Sequence, residues 1–153
     1  MLPLIVLAGP TTSKKSETAV ALAEKLDAEI ISADSMQVYK YFDIGTAKLS
    51  HKDRGRIPHH LIDFLEPDEE FTAFDFKTRA LEHIRKLIGR NKVPVIAGGT
   101  GLYLKVLCED YDCAVQIDTE IKEQIQLEIR DKGLLHMHKE LQQIDPASAE
   151  RIQ

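Results

Sequence analysis

Three short stretches combine residue types and spacings that could do chemistry. The first is Gly9-Pro10-Thr11-Thr12-Ser13-Lys14-Lys15-Ser16. It nearly fits the phosphate-cradling pattern G-x-x-x-x-G-K-[ST], in which backbone N–H groups and a helix N-terminus hold polyphosphate oxygens. In that pattern the lysine reaches the outer phosphates and the final hydroxyl binds Mg²⁺. Gly9, Lys15 and Ser16 match, but Lys14 stands where the pattern has its second glycine. A glycine there lets the backbone turn left-handed against the anion, and a residue with a Cβ loses about 1–2 kcal/mol in that conformation. The Lys14 ammonium either attracts phosphate or blocks the cradle. Without a ligand the same stretch reads as a strand–turn–helix junction capped by Ser13 or Ser16.

The second stretch is Asp34-Ser35-Met36-Gln37, and the third is Gly98-Gly99-Thr100-Gly101. A carboxylate such as Asp34 can serve as a general base or approach Mg²⁺ through water, or it can close an Asx-turn or cap a helix. The glycines at 98–101 permit close approach of the backbone to a ligand, and Thr100 offers a hydroxyl at a helix start. Read without a ligand, they form a tight turn with a threonine N-cap.

These stretches must be positioned by the elements before and after them. Leu4–Ala8, Ala28–Ser32 and Val93–Ala97 are short, nearly continuous apolar runs, the pattern of parallel strands covered on both faces. Helical spacing follows in Ala19, Leu22, Ala23 and Leu26, and again in Leu81, Ile84, Leu87 and Ile88. The order predicts an α/β fold, an open parallel sheet with crossover helices. In such sheets ligands bind outside the carboxyl ends of the strands, which is where all three stretches fall. Residues 39–70 are weakly periodic and contain prolines at 58 and 67, as expected of a functional loop or lid.

From Ile117 onward the pattern is helical. Ile117, Ile121, Ile125 and Ile129 lie four apart, Leu134, Leu135, His138 and Leu141 suggest a second helix after Gly133, and Asp145-Pro146 reads as an N-cap and first helical residue. Two domains are therefore expected, an α/β core over 1–115 and a helical segment over 116–153.

The chain has 153 residues, with 20 Lys+Arg against 25 Asp+Glu for a net charge of −5, 43% apolar and 29% charged residues. That is the composition of a soluble globular domain, and its acidity gives no global electrostatic case for nucleic acid. No apolar run approaches the roughly 18 residues of a membrane span, and no signal peptide is expected at the N-terminus. Cys108 and Cys113 cannot form a disulfide framework or a zinc site and read as reduced thiols of a cytosolic protein. His59-His60 lacks a third ligand at suitable spacing and is expected to be structural, while His136 and His138 are expected on a helix surface. Asp68-Glu69-Glu70 reads as a solvated face or the acidic first turn of the following helix. The aromatic residues Tyr39, Tyr41, Phe42, Phe64, Phe71, Phe74, Phe76 and Tyr103 are expected mostly in the core or a lid, with some able to line an apolar pocket beside the phosphate site.

Several longer strings resemble one family, the tRNA dimethylallyltransferases, which prenylate N6 of an adenosine beside the anticodon. They are Leu-Ala-Gly-Pro-Thr at 7–11, Glu-Ile-Ile-Ser-Ala-Asp-Ser-Met-Gln-Val-Tyr at 29–39, Asp-Ile-Gly-Thr-Ala-Lys at 43–48, Ile-Pro-His-His-Leu-Ile-Asp at 57–63 and Ala-Gly-Gly-Thr-Gly-Leu-Tyr at 97–103. Their order and spacing follow the family along nearly the whole chain.

The resemblance implies a P-loop-type core and, over 116–153, the beginning of a helical insertion that grips the anticodon arm. It implies that residues 9–16 hold the diphosphate of dimethylallyl diphosphate, with Mg²⁺ on Ser16. It further implies that Asp34 takes the N6 proton, that Thr100 contacts the substrate or leaving group, and that Asp34, Ser35, Met36, Gln37 and Thr100 contact tRNA. A cytoplasmic monomer with no membrane association is the corresponding expectation. Lys14 departs from the family's phosphate loop. The family's downstream His-Pro-Asn-Asp stretch and later arginines are also not among these 153 residues, so activity of this chain alone is not implied. Two other readings stand beside it: a small P-loop kinase or nucleotide-binding ATPase, and a non-catalytic remnant disabled at Lys14.

Overall fold

A computed structural model describes residues 3–10, 13–55, 57–109 and 118–152. Four strands form one sheet, β1 (Ile5–Ala8), β2 (Ala28–Ser32), β3 (His59–His60) and β4 (Val93–Gly98). Their spatial order is β1-β4-β2-β3, and every pairing is parallel. The helices of this unit are α1 (Lys15–Leu26), α2 (His51–Arg54), α3 (Ala73–Gly89) and α4 (Gly101–Cys108). The open parallel sheet with crossover helices is thus the architecture expected from the pattern of runs. β3 is the addition. Two residues are too few to show a period, and their pairing with Ile30 and Ile31 is a tertiary fact.

Because successive side chains of a strand point to opposite faces, the continuous apolar runs feed two cores. Ile30 and Val95 pack with Ala19 and Ala23 of α1. Their neighbours Ile31 and Ile96 pack on the other face with Phe76, Ala80, Ile84 and Leu87 of α3 and with Tyr103 of α4. Alanine at 19 and 23 lets α1 lie close to the sheet, whereas α3 brings bulk. The ring of Phe76 stacks on Tyr103 with centroids 4.4 Å apart and is fully buried.

Helix α3 starts with a capping box. The Thr72 hydroxyl accepts from the Asp75 N–H, and the Asp75 carboxylate accepts from the Thr72 N–H. That box places Asp68-Glu69-Glu70 ahead of the helix on an exposed turn, so of the two sequence readings the solvated face holds and the helical first turn does not.

The chain divides into two compact units, residues 1–113 and 114–153. The boundary expected at 115/116 lies outside the described residues, as do Cys113 and Ile117. The second unit contains α5 (Thr119–Lys132), α6 (Leu134–Ile144) and α7 (Pro146–Arg151). Asp145 caps α7 by accepting from the Ser148 N–H, with Pro146 in the first turn. His138 Nε2 lies 3.0 Å from the Ala149 carbonyl and binds α6 to α7. Leu134, Leu135 and Ile144 are largely exposed.

Phe76→Ala removes the largest fully buried side chain of the core and a stacked ring. It is expected to lower the unfolding free energy by about 3–5 kcal/mol in urea titration.

Candidate functional site

Parallel order brings the carboxyl ends of β1, β2 and β4 to the same edge of the sheet. The chain leaving β2 and the chain leaving β4 cross in close contact there. The Ala33 N–H donates to the Ala97 carbonyl at 2.8 Å, and the Thr100 N–H donates to the Ala33 carbonyl at 3.2 Å. A Cβ on Gly98 would lie 2.0 Å from the Ala33 carbonyl oxygen, so this position must be glycine.

Thr100 precedes α4 at its N-cap position, but its hydroxyl does not cap the helix. Instead Thr100 Oγ1 accepts from the Ser35 N–H at 2.9 Å and stands 3.3 Å from Ser35 Oγ. The turn after β2 is therefore fastened to the glycine-rich loop after β4. Within the turn, Asp34 Oδ1 accepts from the Met36 N–H at 2.9 Å and the Gln37 N–H at 3.2 Å. The Asx-turn reading of Asp34 is realised through this one oxygen, and the half-buried carboxylate lines a cleft. Burial pushes the hydroxyl of neighbouring Tyr103 up to about 12, with the charges of Tyr39, Asp34 and Asp75 adding to the effect.

The 9–16 loop forms the opposite lip. Lys14 is left-handed, with φ 57° and ψ 23°, and is the N-cap of α1 with no side-chain cap bond. Neither Ser13 nor Ser16 caps the helix. A lysine thus adopts the conformation for which the phosphate pattern uses glycine. Its carbonyl accepts from the Thr18 N–H and hydroxyl. Lys15 Nζ donates to the Pro10 carbonyl and lies 3.4 Å from Ser13 Oγ. The same ammonium is 3.9 Å from where a Cβ on Gly99 would stand, so the loops after β1 and β4 meet beside Lys15. Thr11 and Thr12, expected in this loop, lie outside the described residues.

The cleft between these loops has a volume of about 890 Å³. Lys14, Lys15 and Ser16 line it together with Asp34, Met36, Gln37, Gly98 and Gly99. Thr100 and Ser35 act behind the lining. The far wall is residues 41–47, within the 39–70 stretch expected to form a functional loop or lid, with Tyr41, Phe42 and Ile44 on the cleft. Gln37 Nε2 ties it to the Asp34 turn by donating to the Thr46 carbonyl at 3.1 Å. Tyr41, Phe42 and Ile44 were the available signal, since apolar residues clustered in a loop have something to contact.

The paired histidines lie elsewhere. His59 Nδ1 is 2.8 Å from the Ile57 carbonyl, and burial lowers its pKa. His60 Nε2 is 2.7 Å from Glu29 Oε2, and its ring lies tilted against His83 with centroids 4.5 Å apart. Burial tends to raise the Glu29 pKa, but hydrogen bonds from His60 and Arg90 outweigh it and hold the carboxyl below its usual range.

The profile of the IPP transferase family matches residues 37–153. The tRNA dimethylallyltransferase of Alkaliphilus oremlandii is 47% identical over 150 residues, covering 97% of this chain and 48% of that protein. The chain therefore spans about half the length of the relatives it matches. The crystal structure of the full-length tRNA isopentenylpyrophosphate transferase of Bacillus halodurans is 36% identical and superposes over the whole chain with a TM-score of 0.71, covering 51% of its own chain. A eukaryotic dimethylallyltransferase acting on tRNA is 30% identical, with a TM-score of 0.82 over the whole chain and 38% of its own.

Lys14→Gly relieves the left-handed backbone strain, partly offset by the greater freedom of glycine in the unfolded chain. It is expected to raise the unfolding free energy by about 0.5–1 kcal/mol. Calorimetry with inorganic pyrophosphate is expected to show tighter binding to the same variant. Weaker or unchanged binding would make Lys14 a working cation of the loop.

Proposed function

This chain belongs to the IPP transferase family, and from that premise we propose that it serves prenyl transfer from dimethylallyl diphosphate to N6 of an adenosine beside the anticodon of tRNA. The observation that carries the reading is the meeting of a lysine-bearing loop, a carboxylate turn and a glycine-rich loop around one cleft. The 9–16 loop would hold the diphosphate, with Lys15 exchanging its Pro10 carbonyl partner for phosphate oxygens. The exposed faces of Met36, Phe42 and Ile44 suit the dimethylallyl tail.

An aromatic amine is a weak nucleophile, so positioning and proton removal have to act together. N6 attacks the allylic carbon, the bond from that carbon to the diphosphate oxygen breaks, and pyrophosphate leaves with the bonding pair. The N6 proton passes to the Asp34 carboxylate. Oδ1 is occupied by the turn, which fixes the group and makes Oδ2 the acceptor in this reading. Thr100 acts through Ser35 to hold the turn against the glycine-rich loop.

Ser16 lines the cleft, and its hydroxyl is the hard oxygen that would hold Mg²⁺ in this reading, which leaves Asp34 as the proton acceptor. When bound, Mg²⁺ would neutralise the charge developing on the leaving group. The adenine has to leave its stack to reach such a cleft, which is the general solution when the target atom lies within stacked nucleic acid. The partner in this reading is the anticodon stem-loop, and the compartment is the cytoplasm, where tRNA is used. Among the described residues no helix is long and apolar enough to cross a membrane.

Incubation with an anticodon stem-loop RNA and radiolabelled dimethylallyl diphosphate, in parallel with γ-labelled ATP, tests the reading. Label is expected on the RNA. Transfer or release of phosphate from ATP without prenylation would favour the kinase or ATPase. In a full-length context, Asp34→Asn is expected to reduce prenyl transfer by about 100-fold or more while calorimetry shows donor binding retained. Normal turnover by this variant would remove Asp34 as the base.

A further inference from the structure

The far wall of the cleft has hollow on both sides. Residues 41–47 face the 890 Å³ cleft in front, and a second cavity of about 670 Å³ behind them shares Tyr41, Asp43, Ile44 and Ala47 with the first. Ile44 is 98% exposed and Tyr41 74%. A segment with so little apolar packing is not held by the core, so other forces must fix it.

Besides the Gln37–Thr46 and Thr46–Phe42 hydrogen bonds and the Tyr39–Phe42 ring contact, a buried ion network borders it. The side chain of Lys48 is wholly inaccessible. Its ammonium donates to the Tyr39 carbonyl at 2.7 Å and to Asp63 Oδ1 at 2.6 Å, and forms an ion pair with Asp43 Oδ1 at 3.1 Å. Arg54 bonds the other Asp63 oxygen and donates through Nε to the Leu49 carbonyl at 2.9 Å. Burial would raise the Asp63 pKa, but the hydrogen bonds from Lys48 and Arg54 outweigh it and keep the carboxyl below its ordinary range.

Backbone strain gathers at the same place. Of the seven described non-glycine residues with positive φ, four flank this network: Tyr41 at 67°, Ala47 at 49°, Leu61 at 56° and Asp63 at 54°. Each such residue costs about 1 kcal/mol or more, and the conformation persists only where surrounding bonds impose it. A buried lysine is a poor source of net stability, because desolvation offsets most of its ion-pair energy. A buried charge that fixes strained backbone beside a cleft is better accounted for by what it positions.

We propose that Lys48 is a positioning residue for the prenyl donor: with Asp63 and Arg54 it clamps residues 41–47 so that Phe42 and Ile44 form the surface against which the hydrocarbon tail packs. This rests on the reading of the cleft given above and adds to it what sets selectivity for an isoprenoid over a bare diphosphate. Lys48 touches neither substrate. Its effect passes through the wall, while the 9–16 loop has its own bonds to Pro10 and Ser13 and is independent of it.

The experiment compares dimethylallyl diphosphate with inorganic pyrophosphate by calorimetry on the full chain, with urea titration of each protein. Lys48→Met keeps length and removes the charge, leaving Asp63 its Arg54 partner. Donor affinity is expected to fall about tenfold or more, as for other losses of positioning, with pyrophosphate affinity unchanged within about twofold. Should that variant fail to fold, Arg54→Met reads the same split from the outer end of the network. Equal loss of both ligands, or unchanged donor affinity in a folded variant, overturns the proposal while leaving the cleft's function standing. If the unsubstituted chain binds pyrophosphate but gains nothing from the dimethylallyl group, the reading of the cleft falls and this proposal with it.

Discussion

The contact between Ala33 and Gly98 governs the site. Two strands adjacent in the sheet, β2 and β4, release their chains toward the same edge, and those chains cross with no room for a side chain between them. The crossing is closed by main-chain bonds from Ala33 to Ala97 and from Thr100 to Ala33. Once it is made, the Thr100 hydroxyl falls within reach of the Ser35 N–H, and the carboxylate of Asp34 is presented at a fixed height above the sheet. A chemical group placed by backbone geometry costs little to hold in register, because the sheet has already removed the conformational freedom that a loop would otherwise lose on binding.

Around that fixed point the cleft is asymmetric. On one side, lysines and main-chain groups are gathered at the start of α1, where anions are favoured by the helix dipole. On the opposite side, apolar residues stand on a segment held by ions and hydrogen bonds instead of by a core. That division would suit the amphiphilic donor proposed above, whose charged end needs oriented N–H groups and cations and whose hydrocarbon end needs surface to displace water.

The distribution of charge fits the same division of labour. With a net charge of −5, these residues hold no excess of cations to grip a long stretch of phosphate backbone. Five described cations of the first unit are paired with carboxylates: Lys48 and Arg54 with Asp63, Lys40 with Glu66, Arg90 with Glu29, Lys92 with Asp27. Lys15, which sits on a carbonyl, can release it to an anion without exposing a buried carboxylate.

Sequence alone determined the sheet and its three main strands, because mostly apolar β-branched runs survive as a pattern in one dimension. Covering on both faces is realised for β2 and β4 but not for β1, an edge strand whose Val6 is exposed. It also determined α7, whose Asp145-Pro146 start is written in local capping chemistry. It gathered Lys15, Asp34 and Thr100 at one edge through the general rule for parallel sheets, but it left each with two readings, and the structure realised parts of both. Asp34 does close an Asx-turn and also lines the cleft; Thr100 stands at an N-cap position yet spends its hydroxyl on Ser35. What only the tertiary structure decided was the two-residue strand β3, the far wall at 41–47 and the burial of Lys48. These depend on partners up to tens of residues away: Asp63 lies fifteen positions from Lys48, and Ser35 sixty-five from Thr100. Local pattern records which face of an element meets the core. It carries no record of which distant carboxylate will satisfy a buried ammonium, since any exposed lysine would look the same in the sequence.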